Sequence, residues 1–392
     1  MITRTIEALL PELCKGFPII TITGPRQSGK TTLAKMAYPS HKYLDLENLI
    51  TRRIANEDPA ALIDDPKANY ILDEFQYAPS ILSFLKELVD INQIEGQFVL
   101  TGSNQFSLMR DVSQSLAGRT AVLELLPFSS REAYPEGDLD LNTVIYRGFY
   151  PRLVAQQMNP GVFYDSYIQT YLQRDVRRLM NVQNMEAFGR FLSLCAGRTG
   201  GILNKVSLAN DTGVDTKTVS NWLSVLQASY IIYLLPSWHG NVSKRLIKSP
   251  KLYFYDTGLA CRLLQIRNAD DLASHPLRGN LFETLIVCEA LKFYHNRGIN
   301  PPLSFFRESN GTEVDLIVEK AGRVYPIEIK SAAMINHSFY SNLGKFRALV
   351  TRAGEGRLVY SGQQSWRDRS YRNIGWRDLY QELQMIETGD KS

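Results

Sequence analysis

The 392 residues predict an α/β chain whose N-terminal part is a doubly wound parallel sheet, and three observations carry that prediction. Apolar strand-length runs alternate with helix-length segments, a glycine-rich turn follows the first run directly, and two adjacent carboxylates close the third. The runs are Pro18 to Thr23, Lys42 to Leu46, Tyr70 to Asp73, Gln97 to Thr101 and Ala121 to Leu126. Strands joined through helices pair in parallel, and such sheets collect ligands at the carboxyl ends of their strands.

The turn after the first run reads Gly24, Pro25, Arg26, Gln27, Ser28, Gly29, Lys30, Thr31, Thr32. It is a complete G-x-x-x-x-G-K-T phosphate loop, and Lys30 to Ala37 continues as a helix whose first amides point at the phosphates. Glycines let the backbone fold round the phosphates, Lys30 reaches the β and γ groups, and the Thr31 hydroxyl holds a magnesium ion. ATP and Mg2+ are therefore the expected cofactors. Asp73 orients a magnesium-bound water, which makes Thr31 and Asp73 the metal residues, and Glu74 polarises the water that attacks the γ-phosphate. The fourth run delivers Gly102, Ser103 and Asn104 to the same edge, where Asn104, or Ser103, can sense the γ-phosphate. Arg119 stands directly before the fifth run, a spot from which it can act in trans as an arginine finger or simply cap a helix.

Composition sets limits on the rest. Hydrophobic content of 44% and charged content of 21% are those of a folded globular protein, and the length predicts two to four domains. Neither a membrane span nor a signal peptide is legible, so the cytoplasm is the expected compartment. Cys14, Cys195, Cys261 and Cys288 are scattered with no C-x-x-C pair, which points to core thiols. A net charge of +4 does not by itself argue for nucleic acid, so that case rests on local clusters.

The segments GPRQSGKTTL, YLDLEN, ILDEFQYAP, FVLTGSNQF and SLAGRTAVLELLPFS together resemble the prokaryotic AAA-type ATPase family that carries a DUF4143 domain at its C-terminus. The resemblance implies an AAA+ P-loop core over 1–135, with Lys30 as the Walker A lysine and Asp73 and Glu74 as the Walker B carboxylates. It implies a sensor after the fourth strand and a homo-oligomeric ring, of which a hexamer is one form. A Pro/Gly/Asp break at Pro135 to Asp138 marks the exit to a helical lid over 136–194. There Arg147, Arg152 and Arg174 are candidates for a second nucleotide sensor, and Tyr171-Leu172-Gln173-Arg174-Asp175 resembles the family's pattern.

Residues 195–268 read as a winged-helix module. Ser207 to Leu223 has the layout of a helix-turn-helix, with Gly213 at the turn and Asp215 or Thr216 capping the second helix. Val219, Trp222, Leu223 and Leu226 fall on its apolar side, leaving Lys217, Ser220, Asn221 and Ser224 outward. Strands at Tyr230 to Leu235 and Lys251 to Tyr255 flank a loop with Lys244, Arg245 and Lys248, residues suited to phosphate contacts. The module either touches DNA or packs within the ATPase body.

Residues 269–392 carry a third constellation, Glu283, Asp315, Glu328 and Lys330. Thr312 to Glu319 and Val324 to Lys330 form a hairpin about Lys320 to Arg323, and alternation puts Glu328 and Lys330 on one face. With Glu283 from a helix, this resembles the PD-(D/E)xK nuclease pattern and implies a restriction-endonuclease-like α/β domain able to hold magnesium, or one in which the same residues serve as an ion-pair network or a DNA-binding scaffold. Arg347, Arg352, Arg357, Arg367, Arg369, Arg372 and Arg377, interspersed with Trp366, Tyr371 and Trp376, either hold nucleic acid or form a solvated surface. The leading expectation is an oligomeric DNA-binding ATPase acting on duplex or branched DNA, such as Holliday junctions, in recombination, repair or genome maintenance. The alternatives are an ATP-regulated, magnesium-dependent endonuclease directed at foreign DNA and an ATP-dependent switch that binds a protein partner.

Overall fold

Successive residues of a strand face opposite sides of a sheet, and in the N-terminal runs both sides are apolar. Ile19, Tyr70, Leu72, Phe98 and Leu100 therefore enter one core, while Ile20, Ile22, Ile71 and Val99 enter another on the opposite face. The strands are β1 (Ile19–Thr23), β2 (Lys42–Asp45), β3 (Tyr70–Asp73), β4 (Phe98–Gly102) and β5 (Thr120–Glu124), and they pair in parallel in the order β2-β3-β4-β1-β5. Two of the segments singled out in the sequence leave the sheet at its carboxyl edge, the glycine-rich loop after β1 and the carboxylates at the end of β3.

This computed structural model describes residues 2–103, 115–172, 184–240, 249–308, 311–368 and 370–389, and it separates into two units. The first comprises Met1–Phe128 together with two short returning segments, Ala228–Tyr230 and His295–Ile299. Tyr230, at φ +56°, brings its hydroxyl to 3.0 Å from the hydroxyl of Thr23, the last residue of β1. His295 stands 3.7 Å from Glu124 at the end of β5, and burial depresses its imidazole to a pKa of about 4.

The second unit holds the remaining chain. After the short helix Ser130–Ala133 come Leu141–Arg147, Pro151–Gln156 and Pro160–Tyr167, the last two begun by a proline, whose missing N–H costs nothing at that position. A buried carboxylate ties them to the later chain. Asp256 accepts from the Tyr164 hydroxyl at 2.6 Å, the Phe149 N–H at 2.8 Å and the Leu259 N–H at 3.0 Å. Gly148 and Gly258 make room for this knot, since a Cβ at either would lie under 2.5 Å from the Tyr164 oxygen.

Helices Met185–Ala196, Lys205–Thr212 and Thr216–Ala228 follow, and then β6 (Ile232–Leu235) and β7 (Lys251–Phe254) pair antiparallel. Gly213 makes the interhelical turn at φ +78°, and Asp215 caps the next helix by accepting from the Lys217 and Thr218 N–H groups. Val219, Trp222, Leu223 and Leu226 are buried, as the helical spacing predicts, while Lys217, Asn221 and Ser224 are exposed and Ser220 is half-buried.

A mixed six-stranded sheet closes the unit, in the order β12-β13-β11-β10-β9-β8. Its strands are β8 (Leu303–Arg307), β9 (Glu313–Lys320), β10 (Arg323–Lys330), β11 (Gly356–Tyr360), β12 (Trp366–Asp368) and β13 (Tyr371–Gly375). The β9–β10 hairpin turns through Ala321 at φ +48° and Gly322 at φ +77°, the paired left-handed residues that match strand twist. Four of the C-terminal arginines form ion pairs within the unit, two of them with a buried glutamate and two at the surface. Arg357 is buried against Glu382 at 2.7 Å, Arg372 takes the other oxygen of Glu382, Arg367 pairs with Glu355 and Arg352 with Glu319. Arg369 lies outside the described residues. All four cysteines are free, and Cys195, Cys261 and Cys288 are buried. Among the described residues no helix is long and apolar enough to cross a membrane.

Candidate functional site

The phosphate loop begins where backbone freedom is indispensable. Gly24 has φ +146°, and a Cβ there would lie 2.2 Å from the Leu125 carbonyl oxygen. Gly29 ends the loop in the left-handed region at φ +94° and starts the helix Lys30–Ala37. Lys30 is buried beneath the loop and donates to the Pro25 carbonyl at 2.8 Å and the Gly24 carbonyl at 3.1 Å. Burial lowers its pKa to about 8, against the pull of Glu74 and Asp73. The Ser28 hydroxyl and the Gln27 side-chain oxygen are buried without a hydrogen-bond partner. A buried hydroxyl without a partner beside a buried lysine and a helix N-terminus is a site built for an anion, so a triphosphate fits these residues.

Asp73 sits among hydroxyls. Thr31 donates to its two oxygens at 3.0 and 2.9 Å, Tyr43 donates at 2.7 Å, and Thr101 makes a further short contact. A carboxylate adjoining the threonine of the loop is the oxygen pair a hard dication takes up. Glu74 is held differently. Its backbone is left-handed at φ +55°, and its Oε2 accepts from Gln76 and, at 3.2 Å, from Ser103. The sequence-predicted Lys30, Thr31, Asp73, Glu74 and Ser103 are therefore gathered at one sheet edge. Asn104 lies outside the described residues.

Arg119 is elsewhere. It precedes the first residue of β5, whose partner in register is Ile19 at the start of β1, so it stands at the amino edge, across the sheet from Lys30. There it forms a two-pronged pair with Asp90 at 2.5 and 2.8 Å. Of the candidate lid arginines, Arg152 is exposed on its helix, Arg147 ends a helix with its carbonyl accepting from Tyr164, and Arg174 lies outside the described residues. So do Lys244, Arg245 and Lys248.

In the second unit Glu283, Asp315, Glu328 and Lys330 do come together. Lys330 reaches Glu328 at 2.6 Å and Asp315 at 3.6 Å. At their centre stands a residue that sequence reasoning passed over as an ordinary strand position, Lys251. It contacts Glu313 at 2.7 Å, Glu283 at 2.9 Å and Asp315 at 3.6 Å. Among the described residues no group of three or more His, Cys, Asp or Glu is arranged to hold a metal ion. The expectation that Glu283, Asp315 and Glu328 form a magnesium centre does not fit this geometry, because an ammonium already takes two of the three.

Gln76, Tyr43, Thr101, Lys251, Tyr253 and Glu313 are thus the residues missed. Gln76 follows the carboxylate pair by two positions and could have been found from the motif; the rest depend on strand order and register.

A glycine-conformed loop, a buried lysine at a helix start and a hydroxyl-ringed carboxylate at the end of a neighbouring parallel strand define a phosphate-loop ATPase. The AAA domain family matches residues 16–134, and two domains of unknown function, DUF8612 and DUF4143, match residues 138–270 and 278–376. An uncharacterized protein of Mycobacterium tuberculosis is 30% identical over 368 residues, covering 91% of this chain and 81% of its own. An uncharacterized protein of Haemophilus influenzae is 20% identical over 344 residues, covering 79% of this chain and 82% of its own. Among solved structures, the Walker-type ATPase of Pyrococcus abyssi has a TM-score of 0.44 at 15% identity, covering 66% of this chain and 94% of that one. The chain belongs to the prokaryotic AAA-type ATPase family with a C-terminal DUF4143 domain, and it is an ATP-binding enzyme of that class.

Proposed function

We propose that this ATPase is an oligomeric DNA-binding machine that acts on duplex or branched DNA, four-way junctions included, in genome maintenance. The observation that carries the reading is the exposed polar face of Thr216–Ala228, with Lys217, Asn221 and Ser224 outward, on a chain that also owns an ATP site. A second helix of a helix-turn-helix with such a face is shaped to enter a major groove, and the ribbon of β6 and β7 after it corresponds to a wing.

ATP supplies the phosphoanhydride whose cleavage drives the machine. In this reading Lys30 and the loop amides bind the β and γ phosphates, with the Ser28 hydroxyl as a further donor. Thr31 and Asp73 hold Mg2+, and Glu74 takes the proton of the attacking water. Asn104, or Ser103, reports the γ-phosphate. The Asp73 and Glu74 roles differ because their surroundings differ: one carboxylate is ringed by hydroxyl donors, the other is held by an amide and a serine.

Placement of Arg119 at the amino edge supports a role in trans, since it cannot reach the loop of its own sheet. Arg119→Ala is expected to lower turnover by about 10³-fold, with ATP affinity nearly unchanged. Mixing Arg119→Ala with Glu74→Gln subunits is expected to restore part of the activity, because a junction between them can pair an intact Glu74 with an intact Arg119. Recovery of no activity in mixtures confirmed to co-assemble would remove the assignment.

The function as a whole is tested by measuring ATPase activity with single-stranded, duplex and four-way-junction DNA over a range of salt. The expected outcome is stimulation by duplex or junction DNA and binding that weakens steeply as salt rises. No binding and no stimulation by any of them would overturn it.

A further inference from the structure

The cluster around Lys251 carries an inference that the ATPase reading does not. Lys251 opens β7 and is almost fully buried, and its ammonium draws together three elements. Glu283 comes from the helix Arg278–His295, while Glu313 and Asp315 come from β9. The second hairpin strand adds Glu328 and Lys330.

The partners leave little for a metal. Glu283 Oε1 accepts from Lys251 at 2.9 Å and from the Tyr253 hydroxyl at 2.5 Å. Asp315 faces Lys251 with Oδ1, and its Oδ2 accepts the Ile329 N–H at 2.9 Å and lies 3.6 Å from Lys330. Glu313 divides its oxygens between Lys251 and Arg307. A divalent ion asks for these same oxygens at about 2.0–2.6 Å, and the ammonium fills the space in which it would have to sit. Lysine brings one charge and three donors, enough to satisfy three carboxylates geometrically but not to neutralise them. Burial, and after it the Asp315 charge, push the Glu283 and Glu328 carboxyls above the usual carboxylate range. One atom is left over, the buried Glu328 Oε2, which has no hydrogen-bond partner.

We propose that Lys251 is the built-in cation of this domain, its ammonium standing where a PD-(D/E)xK site would carry its divalent ion, so that this chain does not cleave nucleic acid through a metal there. The carboxylates then serve to lock the helix Arg278–His295 and the hairpin onto β7. Removing the ammonium should turn the lock into a cation site, because the three carboxylates of Glu283, Glu313 and Asp315 converge on the space it leaves.

The test uses the full chain without nucleotide and Mn2+ as the probe, followed by calorimetry and by thermal unfolding. Wild type and Asp315→Asn are expected to bind Mn2+ equally weakly, and neither gains Tm from it. Lys251→Met is expected to have a lower Tm, to bind one further Mn2+ at least about tenfold more tightly than wild type, and to recover Tm when Mn2+ is added. Adding Asp315→Asn to Lys251→Met should abolish both gains, which separates this site from any weak binding at the phosphate loop. A wild-type Mn2+ site that Asp315→Asn removes would overturn the proposal, and so would a folded Lys251→Met chain that gains none. If Lys251→Met does not fold, the wild-type comparison decides alone: equal Mn2+ binding by wild type and Asp315→Asn, with no Mn2+-dependent nicking of plasmid by wild type, supports the built-in cation.

Discussion

Lys30→Ala is expected to abolish ATP turnover, with kcat/KM for ATP lowered by at least about 10²-fold, while the protein keeps its fold. The two halves of that expectation have one cause. In the free protein the Lys30 ammonium is buried and donates to the Pro25 and Gly24 carbonyls, and desolvation brings its pKa to about 8. An ammonium so placed costs the fold rather than supports it, so its removal leaves Tm within a few degrees of wild type. Its stabilisation is realised on phosphate, where the opposite charge replaces what water supplied. The same reasoning gives a pH signature. Phosphate favours the charged amine, so the bound pKa lies above the free value, and binding takes up a proton once the pH passes about 8. ATP affinity should therefore fall as pH rises from 8 toward 10 in wild type. Calorimetry in two buffers of different ionisation enthalpy measures the proton directly. A wild-type chain with no proton uptake at pH 9, or Lys30→Ala with undiminished turnover, would show that Lys30 does not bear on the phosphates.

What was legible in the sequence was what is local in it. The phosphate loop occupies consecutive positions, and each of its residue types has a stated job, so Gly24 to Thr32 could be read without a fold. The β9–β10 hairpin was legible for a similar reason: a two-residue left-handed turn at Ala321 and Gly322 fixes register within a few residues. The helix-turn-helix was legible because Gly213, Asp215 and an apolar stripe are all short-range signals. The surroundings of Asp73 were not. Tyr43 and Thr101 meet that carboxylate because β2 and β4 flank β3, a fact of strand order that no local pattern encodes. Lys251 is the sharper case. In sequence it is a basic residue at the start of a strand; only the packing of that strand under the helix Arg278–His295 makes it the counter-ion of three carboxylates. The C-terminal arginines are a further case, since their number left a nucleic-acid surface and a solvated one equally open, and neither reading foresaw that Arg357 and Arg372 converge on one buried glutamate. Long-range ion pairs are chosen by tertiary contact, and composition is silent about them.

Glu74→Gln should separate binding from chemistry more cleanly than any other single change in the first unit. The substitution keeps the Cβ and the side-chain length, so it neither relieves nor adds to the strain of a residue held at φ +55°. It keeps an oxygen able to accept from Gln76 and Ser103, which preserves the local arrangement. What it removes is the charge and the basicity. A residue that takes a proton from water in the transition state contributes typically about 10²–10⁴-fold, and the amide cannot do this. The expected result is a kcat lowered by that factor with ATP affinity within a few-fold of wild type, since Lys30, Thr31 and Asp73 are untouched. Asp73→Asn is the contrasting variant: it strips the charge from the carboxylate that Thr31, Tyr43 and Thr101 surround, and it should weaken magnesium-dependent ATP binding as well as turnover. Single-turnover hydrolysis and equilibrium nucleotide binding on both proteins distinguish the two roles. Were Glu74→Gln to turn over within about tenfold of wild type, the base would have to be sought elsewhere. Gln76 and Ser103 would then be holding a carboxylate for structure alone, and the left-handed backbone at Glu74 would be a strain with no chemical return.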